Sequence, residues 1–135
     1  MAQKLLKLNQ ILVGLLLLVF GFNKFFHFIS AGSSHTQAMQ DFMIALSNTG
    51  YIFPIVGILE ILAGFALVFN RMTALLLVLV IPIMLNAFLA HLFLDISGIF
   101  ISLVVLVSLI IVMIDKRRFY KDIFIFESCE IKSSK

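Results

Sequence analysis

Four apolar runs, each about long enough to cross a bilayer, take up most of this chain and leave it few ways to fold. A membrane span needs about 20 mostly apolar residues. Leu5–Phe28, Tyr51–Phe69, Met72–Leu94 and Ser97–Ile114 all meet that requirement or come close to it. The chain is 62% hydrophobic and 13% charged, against about 45–50% apolar and about 25% charged for soluble domains. That balance excludes a soluble globule. The expectation is an all-α integral membrane four-helix bundle that forms a single domain over residues 1–135, with a tail at 115–135.

The first run follows Lys4 and Lys7 as a signal peptide would, with small residues near its end. It outruns the roughly 7–15 residues of a signal h-region, so it reads as a retained span. With four spans, Lys4, Lys7, Arg71, Lys116, Arg117, Arg118, Lys121, Lys132 and Lys135 fall on one side, nine of the ten basic residues. The positive-inside rule makes that side the cytoplasm, with both termini there. This distribution explains the net charge of +3 without nucleic acid, which is not expected as a partner. The one cysteine, Cys129, excludes an internal disulfide, a CxxC couple and a thiolate zinc cluster.

The connections are unequal. Asn70-Arg71 and Asp95-Ile96 are short and force antiparallel neighbours, whereas the outer loop Ile29–Gly50 is long. Within it Met39, Phe42, Met43 and Leu46 recur at i, i+3, i+4 and i+7, predicting a short amphipathic helix on the outer rim of the bundle. A capping box from Ser34 to Gln37 would start it, and Gly50 would stop it. In the third span Pro82 removes one backbone hydrogen bond, and a kink is expected there. Phe119, Tyr120, Ile123 and Phe124 either extend the fourth span as a surface helix or dock a partner. The basic cluster beside them suits anionic lipid.

Glu60 stands near the centre of the second run. A carboxylate at bilayer depth costs about 2.5–3.5 kcal/mol on insertion scales, so it marks a functional site with a partner. At about 1.5 Å per residue, Glu60 lies roughly 13 Å below the outer surface, Asn86 roughly 12 Å and Lys24 roughly 6 Å. Every ionisable group in the spans is thus at or above mid-depth on the outer side, which predicts a polar pocket opening away from the cytoplasm. Glu60 is expected to pair with Lys24 or to hydrogen-bond Asn86, lining a site for a small amphipathic ligand. The alternative is a structural contact that only fixes helix register.

Helical spacing adds detail to that site. Gly57 and Gly64 share the stripe of Glu60, and Gly14 and Gly21 form a similar stripe with Lys24 toward its edge. Small residues of this kind permit close helix approach. Asn86 and Ala90 share a face, whereas His91 is turned away from them and reads as a separate feature. A haem held by His27 and His91 is conceivable, but two histidines at span ends more often meet water. No HxxxH or Cys/His/carboxylate cluster marks a metal site.

The segments GLLLLVFGFNKFF, VGILEILAGFALVFNRMTALLL and NAFLAH together resemble the DoxX family of small four-span membrane proteins, over roughly residues 11–95. Members show a glycine-lysine region late in the first span, G-x-x-E-x-x-x-G in the second, an arginine after it, and a polar or histidine position late in the third. Lys24, Gly57, Glu60, Gly64, Arg71 and His91 match. The resemblance implies a multi-pass protein of the bacterial inner membrane. Some relatives are subunits of quinone-linked oxidoreductases such as thiosulfate:quinone oxidoreductase, and distant animal relatives act as assembly factors.

Two functions follow as expectations. In the first, the chain is the membrane subunit of a quinone-linked oxidoreductase, with Glu60, Lys24, Asn86 and His91 as ligand-binding or proton-relay residues and quinone as the ligand. In the second, it is a non-enzymatic partner or assembly subunit in contact with lipid and with a larger protein or a second copy. A solute carrier is disfavoured, since four spans without an internal repeat offer little machinery for alternating access.

Overall fold

A computed structural model describes residues 1–29 and 35–123. In it the chain forms five α-helices: α1 (Ala2–Phe26), α2 (Gln37–Asn48), α3 (Ile52–Phe69), α4 (Thr73–Phe93) and α5 (Ile99–Asp115). A 3-10 turn at Ile96–Gly98 precedes α5, and another at Arg117–Ile123 follows it. No strand occurs among the described residues. Four helical segments, namely α1, α3, α4 and the turn plus α5, are long and apolar enough to cross a membrane. Helices suit that task because each satisfies its own backbone hydrogen bonds where water is absent.

The four long helices run alternately up and down and close into a ring: α1 packs on α3 and α5, and α4 packs on the same two. At the centre Val13, Leu17, Leu67, Leu77, Val80, Val105, Leu109 and Val112 are almost wholly buried. Outward positions such as Leu12, Ile58, Leu75, Leu79, Val107 and Ile111 are exposed and apolar, the inverse of a soluble bundle's surface. The chain ends of α1 and α5 lie at the same end of the ring as the α3–α4 connection; α2 lies at the other.

The closest packing joins α1 to α3. A methyl group added at Gly14 would come within 3.1 Å of the Gly64 carbonyl, and one added at Gly21 within 3.0 Å of the Gly57 carbonyl. Each helix carries its two glycines seven residues apart, and the pairs meet in antiparallel register. Lipid offers no hydrophobic drive between helices, so this seam holds by van der Waals contact at close range. The register carries polar groups along with it. One turn before Gly14, the Gln10 amide donates to the Leu67 carbonyl at 2.7 Å and to Asn70 Oδ1 at 3.1 Å.

Boundaries depart from expectation where a side chain intervenes. The first span runs from Ala2 to Phe26 rather than from Leu5 to Phe28. His27 adopts the left-handed conformation (φ 50°), and Asn23 captures Ile29, accepting its N–H at 2.6 Å and donating to its carbonyl at 3.3 Å. The fourth span is not one helix: Asp95 Oδ1 accepts from Ser97 N–H at 3.0 Å and starts a 3-10 turn before α5. Thr36 caps α2 through Met39 N–H at 3.3 Å, while Ser34 lies outside the described residues. Gly50, at φ 74°, follows the helix end. Helix α4 continues through Pro82. In the second 3-10 turn Tyr120 is buried, donating its hydroxyl to the Ala74 carbonyl at 2.9 Å, while Phe119 is exposed. Phe124 lies outside the described residues.

Candidate functional site

A cavity of about 730 Å³ opens at the α2 end of the bundle, walled by α1, α3 and α4 and covered by α2. Most of its lining is apolar. Helix α2 contributes Met39, Phe42, Met43 and Leu46, its whole amphipathic stripe; Phe53 and Val56 come from α3, and Ile83 and Met84 from α4. A few polar groups interrupt this surface: Lys24, His35, Gln40, Glu60, Asn86 and His91. Apolar walls with a small number of placed polar groups are the usual composition of a small-molecule site, as is a volume within about 300–1,000 Å³.

Glu60 and Lys24 form an ion pair, Lys24 Nζ donating to Glu60 Oε2 at 2.6 Å. The Glu60 side chain is 3% exposed and that of Lys24 is 21% exposed. The glycine seam makes this pair possible. Because α1 and α3 approach so closely at Gly21 and Gly57, the lysine one turn beyond Gly21 reaches the carboxylate one turn beyond Gly57. Of the two partners offered by the sequence, Lys24 is the one that contacts Glu60. Glu60 Oε1 makes no hydrogen bond to any described residue, which leaves an acceptor at the cavity wall next to an ammonium donor.

Asn86 lines the same cavity from α4 and makes no side-chain hydrogen bond among the described residues. His91, expected to be a separate feature, lines it too. The reason is the width of the wall. At 100° per residue, the lining positions from Asn86 through Ala90, Ile83 and Ala87 to His91 span roughly 140° of α4, with Met84 just beyond His91. Asn86 and His91 thus stand near opposite margins of that arc, so residues on different faces still meet one space. His91 Nδ1 lies 3.2 Å from the Asp95 carbonyl, and its ring rests where a methyl group on Gly98 would stand, 2.2 Å from Cε1. His27 is exposed at the end of α1 and is not part of the cavity, so the two histidines considered for haem are not brought together there.

Two further residues complete the cover of the cavity, and the sequence did not mark them. His35 Nδ1 meets Asp95 Oδ2 at 2.5 Å. Asp95 is buried, and its second oxygen caps the turn before α5. The hydrogen bonds from His35 and from the Ser97 N–H hold its carboxyl at about 2, below its ordinary 3.8. Beside this contact the Thr36 hydroxyl donates to the Leu94 carbonyl, and the Gln40 amide donates to the His35 carbonyl at 2.9 Å. The start of α2 is thus tied to the junction of α4 and α5. A histidine in a polar loop and an aspartate in a two-residue connection look ordinary in sequence; only their contact, 60 residues apart, distinguishes them.

Chemically, the arrangement offers a charged donor and acceptor deep in one wall, imidazoles near the mouth and aromatic or thioether side chains between them. That set suits a flat amphipathic molecule whose polar oxygens need hydrogen bonds. No group of three or more His, Cys, Asp or Glu side chains placed to hold a metal ion occurs among the described residues. Comparison of the chain with protein-family models, with curated proteins and with solved structures returned no match.

Proposed function

We propose that this chain is a DoxX-like protein of the bacterial inner membrane, and that its cavity holds the head group of a quinone in a quinone-linked redox complex. Both termini are cytoplasmic in this reading, and α2 lies along the outer surface. The observation that carries it is the Lys24–Glu60 pair set into the wall of a mostly apolar cavity of about 730 Å³. A buried charge pair is often no better for stability than well-packed apolar residues, so its place on a cavity wall favours a ligand role.

The lining fits a quinone by its chemistry. Lys24, Asn86 and His91 are the donors available to ring oxygens, while Phe42, Phe53, Met39 and Met84 supply the apolar and polarisable surface for the ring. A quinone, when bound, accepts electrons and protons. Glu60 is placed to hold a proton at Oε1, and Lys24 keeps the opposing charge 2.6 Å from Oε2. In this reading a partner protein supplies the electrons.

The test uses protein purified in a mild detergent. The lipid extract of the wild type is expected to contain quinone, and a short-chain ubiquinone analogue is expected to bind. Losing the hydrogen bond that a quinol hydroxyl donates to the Glu60 carboxylate weakens binding of the reduced analogue about tenfold or more, which is the effect expected for Glu60→Gln. Thermal midpoints confirm that the variant is folded, and Asn86→Ala provides a milder comparison. A folded Glu60→Gln protein with unchanged affinity for the reduced analogue, or a wild type that binds no quinone, removes this reading. The second reading, a non-enzymatic assembly subunit, is then the one supported, provided a stoichiometric partner copurifies.

A further inference from the structure

A second cavity of about 440 Å³ lies at the opposite end of the bundle, where the start of α1, the end of α5 and the α3–α4 connection gather. We propose that it is a binding site for the phosphate of an anionic phospholipid. On α1, Gln3, Lys7 and Gln10 line it at i, i+4 and i+7, a polar stripe on a largely apolar helix. Polar groups on a membrane helix are costly unless they have partners, and these residues differ in how that need is met. Gln10 is buried, with its amide committed to Leu67 and Asn70. Lys7 pairs with no carboxylate among the described residues.

Across the cavity stand Asn70 and Lys116. Asn70 accepts from Gln10 through Oδ1, and its own amide N–H groups donate to no described residue. Lys116 Nζ lies 3.5 Å from Asp115 Oδ2, the one carboxylate at the site. Two ammonium groups against one carboxylate leave a net positive charge, and an unused amide donor adjoins them. Of the carbonyls at the end of α3, that of Ala66 is taken by the N–H groups of Asn70 and Arg71 and by the Thr73 hydroxyl, and that of Leu67 by Gln10.

The apolar part of the lining identifies the source of the phosphate. Leu6, Ile11 and Val68 complete the cavity and lead onto the outward apolar face of α1. An anion that carries acyl chains satisfies both surfaces at once, whereas a free phosphate satisfies one. The site also lies at the basic end of the four spans, at the level where headgroups reside.

Native mass spectrometry of the full chain in dodecyl maltoside, titrated with palmitoyl-oleoyl phosphatidylglycerol or the matching phosphatidylcholine, tests the proposal. The anionic lipid is expected to bind in preference to the zwitterionic one. Lys7→Gln and Lys116→Gln each lower that preference about fivefold, and together about twentyfold, from roughly one lysine's worth of attraction apiece. Arg118→Gln, an exposed charge outside the cavity, leaves it within about twofold. Lys7 is exposed on the helix surface, so Lys7→Gln alone carries the test if the double variant does not fold. Equal binding of the two lipids, an undiminished preference in Lys7→Gln, or glycerol phosphate binding as tightly as the lipid each overturns the proposal.

Discussion

Glu60 is nearly inaccessible, and its one side-chain partner among the described residues is Lys24. Removing one partner of a fully buried ion pair costs about 3–5 kcal/mol, since the remaining charge has nothing to offset its desolvation. Lys24 is 21% exposed, so Lys24→Met is expected to cost less, about 2–3 kcal/mol. The double variant Lys24→Met/Glu60→Met removes both charges and is expected to recover most of that loss. Thermal or denaturant unfolding in detergent, read as a double-mutant cycle, measures the coupling. Equal stability of Lys24→Met and the wild type would show that the pair contributes nothing. These residues were legible in the sequence because a charge in an apolar run stands out by composition alone. Which of Lys24 and Asn86 meets Glu60 was not, since periodicity places a residue on a face without saying which helix that face adjoins.

At the scale of elements, α2 differs from the four long helices. It is held by its ends and by one buried side chain, Met39, while the rest of its apolar stripe faces the cavity. Its start depends on the His35–Asp95 contact and on Thr36. The Asp95 carboxyl is held at about 2 instead of 3.8, so the sign of the pH dependence follows. A depressed folded-state value means that the stabilisation is fully present above 3.8 and is lost as pH falls through about 2. Asp95→Asn imitates the acid form at neutral pH. Hydrogen exchange at pH 7 is expected to show faster exchange in α2 and the turn at Ile96–Gly98 for this variant, with the α1–α3 seam unchanged. Uniform exchange across variant and wild type would dissociate α2 from Asp95. The amphipathic repeat of α2 was readable because a 3.6-residue period survives in one dimension. Its N-terminus was not, as Ser34 and Thr36 are equally good caps by residue type and only geometry selects Thr36. The glycine seam lay between these cases: two stripes spaced seven apart were visible, but their antiparallel meeting is a property of the register.

The whole molecule is electrically lopsided, and this asymmetry makes its orientation testable. Of the eight described Lys and Arg residues, seven lie at the end that holds the start of α1 and the end of α5: Lys4, Lys7, Arg71, Lys116, Arg117, Arg118 and Lys121. Lys24 is the exception, and it is paired with Glu60 near the other end. Positive charge resists translocation, so the basic end is expected to stay in the cytoplasm. The cavity beneath α2 then faces outward, and the basic cavity at Lys7 and Lys116 meets the inner leaflet, whose lipids carry the anionic charge. Cys129 is the single cysteine of the chain and lies in the tail, so it reports the C-terminal side without further alteration. A membrane-impermeant maleimide is expected to leave it unlabelled in intact spheroplasts and to label it after permeabilisation. In a Cys129→Ser background, Gln37→Cys places a thiol on the exposed start of α2 and is expected to be labelled in intact spheroplasts. The reverse pattern would turn the bundle over and expose the lipid-phosphate cavity to the outer face. It would also turn the Glu60 cavity toward the cytoplasm, so the labelling result decides from which side of the membrane the proposed electron donor would have to act.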